Sequence, residues 1–457
     1  MTTMVRPSES LHEAGRPAAR YWHLVPGLVL ALIGAGAGAV LLLWLHDTPP
    51  VLSGLGAYLT AGGRIFGLLA GYAVVIQIVL MARIPVLERG IGADRLARWH
   101  SFGGRYTISL IAAHAALIVW GYAVTAHTGI VGQSVTLLRS YPDVLMATVA
   151  AGLFLGVGLV SARAARKRMR YETWYYLHFY TYLAVALAFS HQLATGADFL
   201  TNQPARVLWT AMYVMTGMLV AWFRIAVPVR AAFRHRLRVH SITQEAPGVI
   251  SLVLYGRWLE DLAPEPGQFF RWRFLSRGEW WQSHPYSLSA PPRPPYLRIT
   301  VKAVGDHTHS LQHIRPGTRV VAEGPYGAMV GSNRRLRKVL LVAGGLGITP
   351  LRALFETLPA APGDLTLLYR VHNAEDIIFE AELRRLAAAR RATVHFLVGP
   401  RKRYNPFTPR QLRSLVPDVS AHEVYLCGPP GMATAAVEAL RQAGVSRRHI
   451  HNESFDL

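Results

Sequence analysis

The sequence predicts three parts in order: a bundle of six transmembrane helices, an antiparallel β-barrel and an α/β domain with a parallel sheet. Long apolar runs occupy the first half of the 457 residues, and each is close to the roughly 20 residues that a membrane-spanning helix needs. Beyond about residue 234 the runs become short, first alternating in polarity and then alternating between strand-like and helix-like patterns. We expect a disordered N-terminus at 1–20 and domains at 21–230, 232–330 and 336–457.

The apolar runs and the basic residues between them predict the membrane topology. The runs lie near residues 22–45, 63–83, 103–125, 144–162, 175–196 and 205–227. Basic residues concentrate in alternate segments: Arg6, Arg16, Arg20, Arg83, Arg89, Arg95, Arg98, Arg163, Arg166, Lys167, Arg168 and Arg170. Lys and Arg accumulate on the cytoplasmic side of membrane proteins. We therefore expect an inner-membrane protein in contact with lipid, with both termini cytoplasmic, and we assign the net charge of +22 to this asymmetry rather than to nucleic-acid binding.

Four histidines within two of the apolar runs are candidate metal ligands. His100 and His114 are fourteen residues apart, and His178 and His191 are thirteen apart. An ionisable side chain at membrane depth is costly and marks a functional site by default, and neutral imidazole is a common axial ligand of haem iron. Fourteen residues of helix span about 21 Å, so two such helices facing each other would hold two haems at different depths.

The spacing leaves alternatives open. A step of fourteen residues returns to nearly the same helix face, but a step of thirteen misses it by about 140°. For His178 and His191 to share a face, either the helix would need a tightened turn between them or His178 would have to lie at the frayed start of the helix. The four residues are alternatively core histidines that hydrogen bond to Ser, Thr or Tyr. His127 is a rival ligand that we place at the outer surface. The single cysteine, Cys427, excludes disulfides and four-cysteine iron–sulfur clusters within this chain.

The second half predicts a barrel and then a nucleotide-binding domain. The barrel strands are expected in LRVHSI, VISLVLYG, GQFFRWRFL, YLRITVKAV and TRVVAEG. In the next domain the run Gly344 to Pro350 follows the first buried strand, where glycines let the backbone approach a pyrophosphate at a helix N-terminus. A tight turn would explain the same glycines. Cys427, Gly428 and Pro429 follow a later strand in the same way, either at a ligand site or in an ordinary turn.

The barrel segment His284-Pro285-Tyr286-Ser287-Leu288-Ser289 combines a flat ring, hydroxyls and a potential cation within six residues. These groups suit a flavin, which needs a stacking partner, hydrogen bonds at the ring edge and a partner for its phosphates. Alternatively, Tyr286 is a core residue of an edge strand.

Taken together, the two histidine pairs and the motifs HPYSLS, EGPYG, GGLGITP and CGPPGM resemble the family of ferric reductases and NADPH oxidases over roughly residues 60–457. The resemblance implies an inner haem b held by His100 and His178, an outer haem b held by His114 and His191, an FAD and a nicotinamide dinucleotide. It assigns the following further site residues: Arg64, His284, Pro285, Tyr286, Ser287, Lys302, Val304, Thr308, Gly324, Gly344, Gly345, Gly347, Thr349, Pro350, Arg370, Cys427, Gly428, Pro429 and Phe455.

Among these, the resemblance places Lys302, Val304 and Thr308 in a second flavin segment, Cys427 beside the nicotinamide and Phe455 over the flavin ring. A guanidinium at Arg370, assisted by Arg401 and Lys402, could pair with a 2′-phosphate and so favours NADPH over NADH. Electrons would then pass from cytoplasmic NADPH through FAD and the haems to an external acceptor, which we expect to be a ferric chelate.

The sequence also departs from the family. Superoxide-forming members carry a further histidine where this chain has Ile118, although Arg64 resembles their oxygen-site arginine. A superoxide-generating oxidase that reduces dioxygen is therefore one alternative. A subunit that feeds electrons to a periplasmic partner protein of unknown identity is another, and a flavin reductase on a haem-free membrane anchor is a third.

Overall fold

The computed structural model describes residues 24–162, 169, 171–276, 280–400 and 406–454. The predicted positions Phe455, Arg401 and Lys402 lie outside them. The described chain divides into an N-terminal helical unit that ends at Arg224 and a C-terminal unit that begins at Ile225.

The described residues of the helical unit form a series of α-helices. They are α1 (Val25–His46), α2 (Gly54–Leu80), α3 (Pro85–Ile91), α4 (Ala93–Thr125), α5 (Ile130–Ser140), α6 (Val144–Ser161), α7 (Tyr171–Thr195), α8 (Ala197–Leu200) and α9 (Gln203–Ala221). α2 packs most extensively against α4, and α6 against α7. A π-helical segment, Trp222–Ala226, follows α9.

Five helices of the described chain are long and apolar enough to cross a membrane: Val25–His46, Gly54–Leu80, Arg95–Thr125, Val144–Ser161 and Gln203–His235. Large apolar side chains such as Leu28, Leu42, Leu159 and Leu208 are exposed on them, as lipid contact requires. The predicted span at 175–196 forms α7, whose 25 residues would reach about 37 Å, but it is not among the five. Its tyrosines, histidines and other polar residues make it less apolar than the other runs.

Small residues allow the close packing of α2 on α4. A Cβ atom at Gly56 would lie 2.9 Å from the carbonyl oxygen of Gly121, and one at Gly63 would lie 2.9 Å from the side chain of Ile118. Gly67, one further turn along α2, faces His114. Glycines along one helix face let two backbones approach within a membrane. This stripe on α2 therefore fixes where the histidine-bearing helix α4 lies.

The C-terminal unit begins with helix α10 (Val227–His235) and continues into two antiparallel sheets. The strands are β1 (Arg238–Ala246), β2 (Val249–Tyr255), β3 (Phe269–Phe274), β4 (His284–Ser287), β5 (Tyr296–Lys302) and β6 (Val320–Tyr326), with the short helix α11 (Asp306–Ser310) before β6. They form the sheets β1-β2-β5 and β4-β3-β6, joined by isolated bridges at Arg238–Arg319 and Leu288–Ile299. One buried cluster, which includes Leu252, Phe270, Trp272 and Ile299, fills the space between them.

The remaining residues form a parallel sheet with helices. Its strands are β7 (Lys338–Gly344), β8 (Leu365–Val371), β9 (Thr393–Val398), β10 (His422–Gly428) and β11 (Ile450–Ser454), in the order β11-β10-β7-β8-β9. The helices are α12 (Ile348–Thr357), α13 (Glu380–Arg390), α14 (Pro409–Leu415) and α15 (Pro430–Gln442). The predicted strand–helix alternation is present, but the sequence interpretation did not anticipate β11, which forms the edge of the sheet beside β10.

Candidate functional site

The four intramembrane histidines form two facing pairs between α4 and α7. The imidazole centroids of His100 and His178 are 5.9 Å apart, and those of His114 and His191 are 6.5 Å apart. The structure thus brings together the pairs that the resemblance implied. The rival ligand His127 is exposed and lies two residues beyond the end of α4, so it is not part of either pair.

The expectation that a distorted turn would be needed between His178 and His191 is wrong. α7 is a continuous α-helix from Tyr171 to Thr195, and His178 lies well inside it. Both rings thus lie opposite their partners on α4 although the helix that carries them is continuous. The indole of Trp174 stacks on the His178 ring at 5.2 Å and supports it one turn earlier in the helix.

In three of the four histidine rings, Nδ1 has a hydrogen-bond partner. Nδ1 of His100 lies 3.1 Å from the carbonyl oxygen of Gln77, and Nδ1 of His114 lies 2.8 Å from that of Gly63. Nδ1 of His191 lies 2.9 Å from the hydroxyl of Thr195. An Nδ1–H that donates to such an acceptor fixes the tautomer and leaves Nε2 with its lone pair for a metal, the usual arrangement around metal-bound histidine.

The pairs fit axial ligation of haem iron. Two metal–nitrogen bonds of about 2 Å each, plus about 1 Å from nitrogen to ring centre on either side, give a centroid separation of about 6 Å. The measured separations of 5.9 and 6.5 Å agree with that value. No cluster of three or more His, Cys, Asp or Glu residues suited to a bare ion occurs within the described ranges. A donor set of only two imidazoles suits a haem, which supplies its remaining ligands from the porphyrin.

Arg64 on α2, the predicted oxygen-site residue, binds the carboxylate of Asp198 and the backbone carbonyl of Asp47. Its Nη2 forms an ion pair with the buried carboxylate of Asp198, and its Nε donates to the other oxygen of that carboxylate at 3.3 Å. Nη2 also lies 3.4 Å from the backbone carbonyl of Asp47. The positive charge of Arg64 is therefore balanced within the helical unit by a residue that the sequence interpretation did not single out.

The predicted flavin segment forms β4 and the turn after it. Tyr286 packs against the core between the two sheets, as the edge-strand alternative proposed, and its carbonyl accepts a hydrogen bond from Nε1 of Trp272 at 2.9 Å. The His284 ring stacks on that of His307 with centroids 3.8 Å apart. Burial lowers the pKa of His307 to about 4, so the His307 ring is neutral at physiological pH. Ser287, at the end of β4, is buried.

The second predicted flavin segment is a tight turn that leads into α11. The hydroxyl of Thr308 accepts hydrogen bonds from the backbone N–H groups of Val304 at 2.8 Å and Gly305 at 2.9 Å. Lys302, at the end of β5, forms an ion pair with Asp376 of the parallel-sheet domain at 3.6 Å. Gly324 lies within β6 and has a φ of +149°. A Cβ atom there would lie 2.7 Å from the Phe270 ring.

A cavity of about 320 Å³ opens between the antiparallel sheets and the carboxyl ends of the parallel strands. The residues that line it include Pro247, Lys302, Gly344, Gly345, Arg370 and Pro429. Ligands of open parallel sheets bind at this end of the strands. The cavity therefore lies where the sequence predicted a dinucleotide, and it joins residues of the second flavin segment to those of the glycine motif.

The glycine motif is shaped by close backbone contacts. A Cβ at Gly347 would lie 2.0 Å from the carbonyl oxygen of Cys427, and one at Gly344 would lie 2.4 Å from Sδ of Met432. Gly345 adopts a φ of +52°. The Thr349 hydroxyl donates to the carbonyl of Leu346 at 2.9 Å and closes the turn before α12. Gly347 has no space for a side chain, because the turns after β7 and β10 touch each other there, whereas the left-handed φ of Gly345 favours glycine by conformation.

Cys427 lies at the end of β10 and Arg370 at the end of β8, the two strands that flank β7 in the sheet. Burial, together with the nearby Glu453 carboxylate, raises the pKa of the Cys427 thiol well above its ordinary value, so this thiol remains protonated. Nη1 of Arg370 donates to the carbonyl of Leu397 at 2.8 Å, at the end of the neighbouring strand β9. A carboxylate oxygen of Glu453 accepts hydrogen bonds from the N–H groups of Ala328 at 2.9 Å and Met329 at 3.2 Å.

Glu453 thus links β11 to the loop after β6. The sequence analysis did not predict this contact. The signal available in the sequence was its position two residues before Phe455, but only the pairing of β11 with β10 places it beside Cys427.

Comparisons with known proteins agree with this organisation. Residues 66–189 match a ferric reductase like transmembrane component, residues 252–330 an FAD-binding domain, and residues 341–438 an oxidoreductase NAD-binding domain. An NADPH oxidoreductase of Mycobacterium tuberculosis is 28% identical over 244 residues, which is 51% of this chain and 63% of the relative.

The ferredoxin reductase component of 3-ketosteroid-9-alpha-monooxygenase from Mycolicibacterium smegmatis is 32% identical over 232 residues, or 48% of this chain and 65% of the relative. The chain thus spans somewhat less than two thirds of these relatives. Among solved structures, the FAD/NAD binding domain of nitric oxide dioxygenase from Vibrio cholerae matches 48% of this chain and 98% of that chain, with 26% identity and a TM-score of 0.41.

Proposed function

Because the chain has the domain architecture of the ferric reductase and NADPH oxidase superfamily, we propose that it is a membrane oxidoreductase that moves electrons from cytoplasmic NADPH across the inner membrane. The observation that carries this proposal is the pair of facing imidazoles at each of two depths, 5.9 and 6.5 Å apart. The external acceptor in this proposal is a ferric chelate. Together with the five apolar helices, α7 completes the six membrane spans of this proposal, and both termini are cytoplasmic.

In this proposal each part of the chain has a defined task. When bound, FAD accepts a hydride and releases single electrons, and the haems carry single electrons between the two faces of the membrane. His100 and His178 hold the inner haem, and His114 and His191 the outer one. The Nδ1 hydrogen bonds of His100 and His114 keep those rings oriented and raise their basicity as ligands.

In the C-terminal unit, the backbone around Gly345 and Thr349 would receive the dinucleotide phosphates at the start of α12. Arg370, which lines the cavity, would pair with a 2′-phosphate, which favours NADPH, with NADH as the alternative donor. His284, Tyr286 and Ser287 would border the flavin. Cys427, as a protonated and buried thiol, would line the nicotinamide site as a small polarizable surface rather than react as a nucleophile.

An anaerobic absorption spectrum of the detergent-purified protein, recorded with FAD before and after NADPH, tests this function. We expect the sharp bands of reduced b-type haem, at two haems per chain, after NADPH alone. Haem that is reduced by dithionite but not by NADPH would overturn the proposed donor or the coupling. Protein without haem would overturn the transmembrane relay and leave the helical unit as an anchor.

The acceptor is tested with the same preparation in sealed vesicles. Reduction of an impermeant ferric chelate on the outer face, insensitive to superoxide dismutase, is the expected result. Dye reduction that superoxide dismutase abolishes would instead identify an oxidase. If neither acceptor is reduced until a periplasmic extract is added, electron delivery to a partner protein replaces the ferric chelate in the proposal.

A further inference from the structure

A chain of alternating charges connects the flavin segment to the parallel-sheet domain. Arg298 on β5 binds Glu382 on α13 through Nη2 at 3.2 Å. Glu382 also pairs with Arg352 on α12, which lies 2.6 Å from Glu356 on the same helix. Glu356 in turn pairs with Arg293, in the loop before β5. Three arginines and two glutamates thus alternate across the boundary between the two domains of the C-terminal unit.

One end of this chain holds the flavin segment itself. Nη2 of Arg298 donates to the carbonyl oxygen of Ser289 at 2.7 Å, and its Nε donates to the Ser289 hydroxyl at 3.2 Å. Ser289 is the last residue of His284-Pro285-Tyr286-Ser287-Leu288-Ser289. Its hydroxyl also accepts a hydrogen bond from the buried Thr300 at 2.8 Å. Any displacement of Arg298 would therefore be transmitted directly to the strand end that borders the proposed flavin site.

The other end holds the helix that follows the glycine motif. Arg352 lies two residues after Pro350 on α12 and its side chain is only 5% exposed. Burial lowers the pKa of Arg352, while the carboxylates of Glu382 and Glu356 oppose that change. A buried guanidinium needs charged partners. Glu382 thus contacts both Arg298 on strand β5 and Arg352 on the nucleotide-binding helix, whereas Glu356 joins Arg352 only to the loop residue Arg293.

The contact between Arg298 and Glu382 also has a defined geometry. Both Nη atoms of Arg298 approach the Glu382 carboxylate, at 3.4 and 3.2 Å, and the same guanidinium lies over the Phe379 ring at 4.8 Å. A guanidinium engaged by a carboxylate fork and an aromatic face has little freedom to rotate. Partial burial also protects these charges from screening by salt.

We propose that Glu382 is a positioning residue that sets the separation of the flavin segment from the nucleotide-binding helix by holding Arg298 and Arg352 together. The inference rests on the proposed function, because the separation matters for hydride transfer only if FAD and NADPH bind where that function places them. Glu382 touches neither cofactor in this account. It acts through Ser289 on one side and through α12 on the other.

The first test uses Glu382→Gln in the full-length protein, with Glu380→Gln as the matched control. Glu380 lies on the same helix but pairs with Arg384 of that helix at 2.7 Å, in an exposed position. In stopped-flow experiments at saturating NADPH, we expect Glu382→Gln to slow flavin reduction by about tenfold or more, since small misplacements of reacting groups have large effects on rate. NADPH affinity and FAD content should change little, and Glu380→Gln should behave as wild type.

The second test needs no cofactor. Hydrogen–deuterium exchange of the FAD-free protein should become faster in the segments 286–300 and 348–357 in Glu382→Gln but not in Glu380→Gln. Should Glu382→Gln fail to fold, Arg298→Gln tests the same contact from the other domain, and Arg298→Lys, which keeps the charge, should recover part of the rate.

The outcomes separate the two proposals. Wild-type protein that binds FAD but whose flavin NADPH does not reduce would overturn the proposed function, whereas the exchange experiment would still decide whether the contact holds the domains. Wild-type rates of flavin reduction in Glu382→Gln would overturn the positioning role, whether or not exchange is altered. Unaltered exchange in a Glu382→Gln protein with slow flavin reduction would overturn it as well, because the effect on rate would then have another cause.

Discussion

Arg64 and Asp198 are 134 residues apart in the chain and form a buried ion pair within the helical unit. The side chains are 19% and 4% exposed. Desolvating two charges is repaid only when both are present, so the loss of one partner leaves an uncompensated charge. The pair therefore links α8 to α2 through an interaction that neither segment would make alone.

A double-mutant cycle tests this pair. We expect Arg64→Ala to destabilise the detergent-solubilised protein by about 3–5 kcal/mol, because it leaves the buried Asp198 carboxylate unpaired. Arg64→Ala combined with Asp198→Ala should cost clearly less than the sum of the two single changes. Thermal unfolding provides the measurement. Additive effects would show that the two residues contribute independently.

Replacing His114 with Leu should remove the outer haem, because its imidazole is one of only two protein ligands proposed there. Reduction of an external acceptor should be lost, while reduction of soluble dyes by NADPH persists, since that step needs only the C-terminal unit. His127→Leu is the control, because His127 is exposed at the end of α4. Haem content and vesicle assays measure the result, and loss of neither haem nor transmembrane reduction would contradict the assignment.

Gly67 gives the His114 ring its space. A Cβ there would lie 2.6 Å from Nδ1 of His114, so Gly67→Ala should displace the ring from its hydrogen bond to Gly63. We expect weaker or absent outer haem and a loss of about 1–3 kcal/mol from overpacking. Gly62→Ala is the matched control, because its Cβ would meet only Leu117 at 3.8 Å. Equal haem spectra in both variants would show that ring position at His114 does not depend on Gly67.

Cys427 should be chemically inert in the folded protein. It is fully buried, and its pKa is raised by burial and by Glu453, whereas the thiolate is the reactive form. As the single cysteine of the chain, it gives an unambiguous readout by mass spectrometry. Iodoacetamide should modify it in denaturant but not in the native state. Rapid native labelling would require a thiol that is more accessible or more acidic than this one.

The stack of His284 on His307 predicts a dependence of stability on pH. The pKa of His307 falls from 6.5 to about 4 on folding because of burial, so the unfolded state takes up a proton at a higher pH than the folded state does. Stability is therefore fully present above pH 6.5 and decreases as the pH falls towards 4. His307→Phe keeps a ring in the stack but cannot titrate. The difference in unfolding temperature between FAD-free wild type and this variant should shift in favour of the variant on acidification, and a constant difference would contradict the prediction.

Much of the organisation followed from the sequence because its determinants are local. Apolar run length, the side on which arginines accumulate and glycines placed directly after buried strands each depend on neighbouring residues. They predicted the helical half and the strand–helix alternation. The family resemblance added the pairing of His100 with His178 and of His114 with His191, which the ring distances now support.

Tertiary structure decided what depends on distant residues. The thirteen-residue step between His178 and His191 suggested a distorted helix, yet α7 is a continuous α-helix, and both rings still lie opposite their partners on α4. Strand β11 and Glu453 acquired their place only by pairing with β10. The contacts Arg64–Asp198 and Arg298–Glu382 likewise depend on which faces meet after packing. Periodicity specifies the face that a residue occupies on its own element, but the partner of that face is set by the register and crossing of elements far apart in the chain.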